Sequence, residues 1–191
     1  FYAMAFALAV QQFSRMEGIG FRQHGSLHLA ITEELRARYV RTVENWGWPS
    51  EAMEYVDAAR ASQIAGVTVR HSALWMPDSG SVAPDALCAV YADGCETRLM
   101  SQNIQLENKE KTWEVCGEAF DAVILACGLG VQDFAPTAWL PLHPVRGQLA
   151  LIEANENTKK IRCALCYGGT IAPHSGGVHV AGATFQKGDR G

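Results

Sequence analysis

Phe120-Asp121-Ala122-Val123-Ile124-Leu125-Ala126-Cys127-Gly128 is the stretch that most narrows what this chain can fold into. A short, continuous apolar run closed by Gly predicts a strand buried on both faces, as in a parallel sheet covered by helices. The terminal glycine lets another group come close to the backbone. Upstream, Ser26 to Ile31 alternates, with Leu27, Leu29 and Ile31 on one face and Ser26, His28 and Ala30 on the other. That pattern predicts a half-buried strand. Thr32 then caps a helix with Glu33 and Glu34 in its first turn, and Gly47 and Pro49 end it.

The remaining punctuation fills in the order of elements. Phe1 to Arg15 has the apolar density of a largely buried helix, stopped by Gly18 and Gly20. Glu51 to Ala65 reads as helical and Val67 to Val69 as a short strand. Pro77 to Pro84 reads as a loop, with Pro84 opening a helix over Asp85 to Tyr91. Residues 97–116 predict a two-stranded ribbon, Leu99 to Leu106 turning over Glu107 to Lys111 into Trp113 and Val115. Beyond Pro136 and Pro141 come strands at Val145–Ile152, Ile161–Tyr167, Thr170–Pro173 and Val178–Thr184, with a charged turn through Lys160. The expected class is α/β (α+β).

Sixteen Lys and Arg against 20 Asp and Glu leave a net charge of -4. Attraction to nucleic acid or an anionic membrane must therefore be local. The apolar run at residues 1–10 is too short to span a bilayer. It has no basic leader, so Phe1 reads as the start of a fragment and no membrane contact is expected. Six cysteines, at positions 88, 95, 116, 127, 163 and 166, read as reduced thiols. Cys163 and Cys166 have no second pair to complete a zinc site, and a strand points them to opposite faces. His24 and His28 fall on a strand, so no metal is expected. A Gly-x-Ser-x-Gly elbow and a Walker loop are both absent. Gly128-Leu129-Gly130 begins like a dinucleotide fingerprint but offers Asp133 where a third Gly belongs. Arg146 is either a surface cation on a strand edge or a guanidinium presented beside Gly147 to an anion. Tyr167, before Gly168-Gly169, is either a rim aromatic or a substrate wall, and Lys159, Lys160 and Arg162 read as a solvated basic turn.

Several segments taken in order resemble the D-amino-acid-oxidase-like flavoproteins. They are Leu74 to Leu87 with Asp78-Ser79-Gly80 and Pro84, Ala122 to Gly128, Leu140-Pro141-Leu142-His143-Pro144-Val145-Arg146-Gly147-Gln148, Leu165-Cys166-Tyr167-Gly168-Gly169, and Val180 to Phe185. The second half is most similar to the oxidase portion of bifunctional enzymes that modify tRNA wobble uridine.

The resemblance implies a partial FAD-binding layer with a parallel strand, plus a mostly antiparallel substrate-binding sheet flanked by helices. The family's Gly-x-Gly-x-x-Gly phosphate loop and its closing segment are not in this sequence. The implied partition is an FAD-domain helix over 1–17, substrate-binding parts over 18–70 and 136–191, and an FAD-binding part over 71–135. Substrate contacts would come from Arg146, Gln148, Tyr167 and Thr170. Cofactor contacts would come from Ile104, Ala126, Cys127, Gly128 and Gly147, and no catalytic residue is assigned. Cys127 stands where the family usually has Asn or Thr. Gly168, Thr170 and Ser81 stand where the tRNA-modifying members commonly carry Asp, Tyr and Trp. The implied activity is FAD-dependent oxidation of a secondary amine, converting carboxymethylaminomethyl-uridine to aminomethyl-uridine and glyoxylate in a cytoplasmic protein with a fused methyltransferase domain. The alternatives are a free amino-acid (glycine or sarcosine) oxidase, or a truncated module without activity.

Overall fold

A computed structural model describes residues 2–99 and 104–188. In chain order it contains α1 (Tyr2–Phe13), β1 (Arg22–Gln23), β2 (Ser26–Leu29), α2 (Glu33–Trp46), β3 (Glu54–Val56), α3 (Ala58–Ala65), β4 (Ala73–Met76), β5 (Gly80–Ser81) and α4 (Pro84–Ala92). The chain continues through β6 (Leu106–Lys109), β7 (Thr112–Val115), β8 (Glu118–Phe120), two 3₁₀ turns, β9 (Val145–Arg146), β10 (Leu149–Glu153), β11 (Ala164–Cys166), β12 (Thr170–Ile171), β13 (Val178–Gly182) and β14 (Gln186–Lys187). These residues form two compact units, Phe1–Gly94 with Gly147–Thr184, and Cys95–Arg146 with Phe185–Gly191.

The first unit is built on a seven-stranded mixed sheet of order β10-β13-β12-β11-β2-β4-β3. Every pairing is antiparallel except β11 with β2. Register divides its side chains into two faces. Leu27, Leu165 and Ile171 share one face with Trp75 and Ala181. That face meets α3, where Leu27, Val56, Ala61, Ala65, Val69, Ala73, Cys163 and Leu165 close into the buried core. Local chemistry places the helices. Thr32 Oγ1 accepts the Leu35 N–H at 3.2 Å to start α2, and Gly47 at φ 60° ends it. Asp57 Oδ1 accepts the Arg60 N–H at 2.8 Å to start α3, and Gly66 at φ 74° closes it.

Several sequence expectations are revised. Ser26–Leu29 is not half-buried: it lies between β11 and β4, and both Ser26 and Leu27 are buried, whereas Ile31 falls beyond the strand and is exposed. Tyr39 of α2 meets His28 edge-on, so a helix covers the second face as well. The helix expected over Glu51–Ala65 is interrupted because Glu54–Val56 pairs with β4, and the sheet wins over local propensity. Val67–Val69 is not a strand, and the strand in that region is β4. Gly80–Ser81, inside the expected loop, pairs with β1. Helix α1 forms but is not largely buried, with Met4 69% and Leu8 57% exposed.

In the second unit β6, β7 and β8 form a three-stranded meander, one strand more than the ribbon predicts. Its first turn lies at Glu110-Lys111, and Cys116 and Gly117 make the second with positive φ. Residues 100–103 of the expected first strand lie outside the described residues. The clearest correction concerns 120–128. Phe120 ends β8, residues 122–127 are irregular, and Ile124 is 91% exposed. A doubly buried strand needs neighbours on both edges and a layer on each face. Among the described residues, none pairs with this run. The alternating stretch 145–152 is two strands: β9 pairs with β14 and β10 with β13.

Candidate functional site

The sheet of the first unit gathers four of the expected site residues at one end. Tyr167 leaves the end of β11, Thr170 begins β12, and Gly147 and Gln148 lead into β10 beside the end of β13. The Gln148 N–H donates to Thr184 Oγ1 at 3.0 Å, and the Thr184 N–H donates to Gln148 O at 3.2 Å. The Tyr167 N–H donates to Gly169 O at 2.8 Å, which folds the Gly168-Gly169 turn, and Tyr167 is 46% exposed. Gly182 sits between Leu149 and Thr170 in register. A side chain there would come within 2.7 Å of Gln148 O, at φ 142°. Only glycine fits this close approach.

Thr170, Gly182 and Leu149 also line a cavity of about 510 Å³ in the same unit. Its other walls include Ala172, Val178 and Val180 from the sheet, Val82, Ala83 and Pro84 from the entry to α4, and the polar side chains of Arg22, Ser81, Asp85 and Ser175. Thr170 Oγ1 contacts Cys166 Sγ at 3.5 Å, and Cys166 lies opposite His28. Burial pushes both Cys163 and Cys166 thiols up, Cys163 to about 12, and pushes the His28 imidazole down. The thiols are therefore protonated and poorly nucleophilic near neutral pH. Ser26 Oγ, also buried, meets His28 Nε2 at 3.2 Å and Ser79 Oγ at 2.9 Å. Among the described residues there is no group of three or more His, Cys, Asp or Glu able to hold a metal ion.

The second unit holds the rest. Ala126, Cys127 and Gly128 run irregularly into the 3₁₀ turn Gly128–Asp133. Gly128 has φ 57°, and an added side chain there would meet nothing within 4 Å. Among the described residues no hydrogen bond engages the N–H groups of Ala126, Cys127 or Gly128. This is an open backbone cradle with donors to spare, and it suits a ligand that approaches main chain closely. Ile104 is half exposed beside a smaller cavity of about 330 Å³ that it shares with Asp133, Phe134 and Ala135. Arg146 Nη1 donates to Gln186 Oε1 at 3.0 Å across the β9–β14 pair. Arg22 and Asp85 escaped the sequence reading because only the pairing of β1 with β5, Arg22 opposite Ser81, brings them to the cavity with Thr170.

The family model for FAD dependent oxidoreductase (DAO) matches residues 1–191. The chain belongs to that family. Among curated DAO relatives, the tRNA 5-methylaminomethyl-2-thiouridine biosynthesis bifunctional protein MnmC of Nitrosospira multiformis is 31% identical, aligned over 98% of this chain and 32% of its own length. MnmC of Azoarcus sp. (strain BH72) is 34% identical over 86% of this chain and 27% of its own length. The chain thus spans about a third or less of the relatives it matches. Among solved DAO-like structures, glycine oxidase from Geobacillus kaustophilus superposes with a TM-score of 0.73 at 23% identity, covering 99% of this chain and 55% of that one. L-proline dehydrogenase from P. horikoshii gives 0.75 at 16% identity, covering 97% and 56%. Both establish the fold expected from the sequence. Among the described residues no helix is long and apolar enough to cross a membrane.

Proposed function

We propose that this chain is part of an FAD-dependent oxidoreductase that removes a carboxymethyl group from a secondary amine on the wobble uridine of tRNA. The observation that carries the reading is the likeness along almost the whole chain to relatives named for wobble-uridine biosynthesis, joined to an apolar cavity edged by a few polar groups. In this reading carboxymethylaminomethyl-uridine loses two electrons and two protons at the bond between nitrogen and the carboxylate-bearing carbon. Water then adds to the resulting imine, and the C–N bond breaks to release glyoxylate and aminomethyl-uridine. FAD, when bound, supplies the two-electron oxidation.

This chain's own residues would bind and orient. The open backbone at Ala126, Cys127 and Gly128, with Gly147, would lie against the cofactor, and Ile104 would sit near its adenine. Gln148, Tyr167 and Thr170 would line the substrate space, and Arg146 would offer its guanidinium to the carboxylate or to negative charge gathering on the reduced ring. The same reading divides the chain by role into 1–17 and 71–135 for the cofactor and 18–70 and 136–191 for the substrate. It also places the protein in the cytoplasm, fused to a methyltransferase domain that lends the basic surface a net charge of -4 does not supply.

The test is a longer protein extended upstream through the phosphate loop, purified and mixed anaerobically with tRNA bearing the carboxymethylaminomethyl group. The expected result is a yellow protein bleached by that tRNA, with glyoxylate released. A colourless extended protein refutes the flavin reading. Bleaching by glycine or sarcosine but not by the tRNA transfers the assignment to free amino acids. Titration of FAD into the 191-residue chain separates a binding-competent module from an inert one.

A further inference from the structure

We propose that the cavity between the end of α3 and the 3₁₀ turn Thr158–Lys160 is a phosphate site, in which Arg162 and Lys160 hold the sugar-phosphate backbone of the RNA substrate. The inference rests on the wobble-uridine reading above and adds a contact surface for that substrate away from the reacting base.

The cavity has a volume of about 620 Å³ and lies within the first unit. Backbone contacts build it. The Arg162 N–H donates to Ala65 O at 3.0 Å, which ties the chain leading into β11 to the last turn of α3. Gly66 closes that helix at φ 74°, and a side chain there would collide with Lys160 O, so only glycine lets the two segments meet. The same glycine makes room for Arg162, whose Cγ and Nε each lie 3.1 Å from the point where a Gly66 side chain would begin. Gly66 is part of the cavity wall, so this contact places a guanidinium nitrogen at the cavity. The facing turn is ordered by its own bonds: Asn155 Oδ1 accepts the N–H groups of Asn157 and Thr158 at 2.9 and 3.1 Å.

Charge selects the occupant. Lys160 and Arg162 line the cavity with the neutral side chains of Gln63, Thr68 and Asn157, and among the described residues no Asp or Glu lines it. Glu156, the acid of the same turn, is met by Lys159 Nζ at 2.9 Å. A chain of net charge -4 thus presents a concave patch with two positive charges and no negative one. Such an open, polar and cationic hollow suits a solvated anion, and the guanidinium fork matches phosphate oxygens. Attraction to nucleic acid must be local in this chain, and here the local charge is found. Five residues separate Arg162 from Tyr167, at most about 18 Å of extended chain, a span that one RNA hairpin covers.

The experiment uses the longer flavoprotein, with the affinity of fluorescent tRNA read by anisotropy over about 50 to 200 mM salt. Arg162→Ala and Lys160→Ala should each weaken tRNA about 5- to 10-fold and lower the salt slope by about 0.7 to 1, the loss of one phosphate contact. Arg162→Lys, which keeps the charge, should retain the slope and guards against a folding defect. Lys159→Ala makes the same change in net charge beside the cavity and should alter affinity less than about twofold. Bleaching by the free nucleoside carboxymethylaminomethyl-uridine should be the same in all variants, since no phosphate backbone is present. Unchanged tRNA affinity in the double variant of Arg162→Ala with Lys160→Ala, or an equal loss in Lys159→Ala, would overturn the site. So would Arg162-dependent binding of phosphatidylglycerol vesicles or inorganic phosphate with tRNA affinity unaffected. Arg162-dependent tRNA affinity in a protein that no tRNA bleaches would uphold the site and refute the oxidase reading, and tRNA bleaching at unchanged affinity in the double variant would do the reverse.

Discussion

The sharpest separation of structural from functional need is at Gly128. Its φ of 57° lies in the left-handed region, and an added Cβ would meet no atom within 4 Å. Gly117 offers a matched control, with φ 87° and equally open surroundings in the β7–β8 turn of the same unit. Alanine at either position carries the left-handed penalty of roughly 1–2 kcal/mol and no steric clash within the chain. Gly128→Ala and Gly117→Ala should therefore lower stability about equally, seen as matched shifts in urea midpoint. Their effects on FAD should diverge. If main chain at Gly128 lies against the cofactor, a methyl there forces the two apart at about 1–3 kcal/mol, the usual scale of overpacking. That corresponds to roughly 5- to 150-fold weaker binding. Fluorescence titration of FAD into the two variants of the longer protein measures it, with Gly117→Ala expected to match wild type. Equal FAD affinity in both variants would refute the assignment of residues 126–128 to the cofactor.

Leu27→Ala opens the centre of the first unit's sheet, where Leu27 has 0% exposure, and should cost about 3–5 kcal/mol by chemical denaturation. Cys163, raised to about 12, should resist iodoacetamide at pH 8 while the exposed Cys88, Cys95 and Cys127 label, as read by peptide mass spectrometry. Because its folded pKa lies above the ordinary thiol value, Cys163 adds stability that is complete below that value and is lost as pH rises toward about 12. Melting temperature should therefore fall in that alkaline window, and less so in Cys163→Ala. His28 acts at the other end: its folded pKa is lowered, so the stability it adds is present above the ordinary imidazole value and lost as pH falls below it. Ser26→Ala removes the hydroxyl shared by His28 Nε2 and Ser79 Oγ and should cost about 1–3 kcal/mol, since both partners lose a contact in a half-buried place.

How much was legible in the sequence follows the range of the interactions. Thr32 with Glu33, Glu34 and Gly47, and Pro84 opening α4, are local signals whose partners lie within a turn, and both helices form as read. Cys163 and Cys166 also come out as the alternation of a strand implies, one buried and one half-buried. Glu54–Val56 was hidden because its reason for being a strand is the edge of β4, far along the chain. Residues 122–127 show the converse. Their composition is that of a doubly covered strand, but composition supplies only the apolar side chains, while the edges and layers that bury them must come from elsewhere. Among the described residues nothing does, and Ile124 stays in solvent.

The candidate site has the same origin. Gly147, Gln148, Tyr167 and Thr170 were named from motifs, but what gathers four residues scattered over a stretch of turns is the order β10-β13-β12-β11, which no local pattern fixes. Once that order is set, Thr170 must face the same side as Gly182 and Leu149, and the cavity they bound must be closed by whatever the β1–β5 pair delivers. The pair delivers Arg22. Its guanidinium stays exposed and is oriented by two carbonyl partners, Pro173 O and His174 O, which follow the strand that Thr170 begins. The lining of this cavity is in that sense a consequence of strand register. A change that shifts β12 against β13 should disturb the Arg22 contacts to Pro173 O and His174 O and the Thr170 wall together.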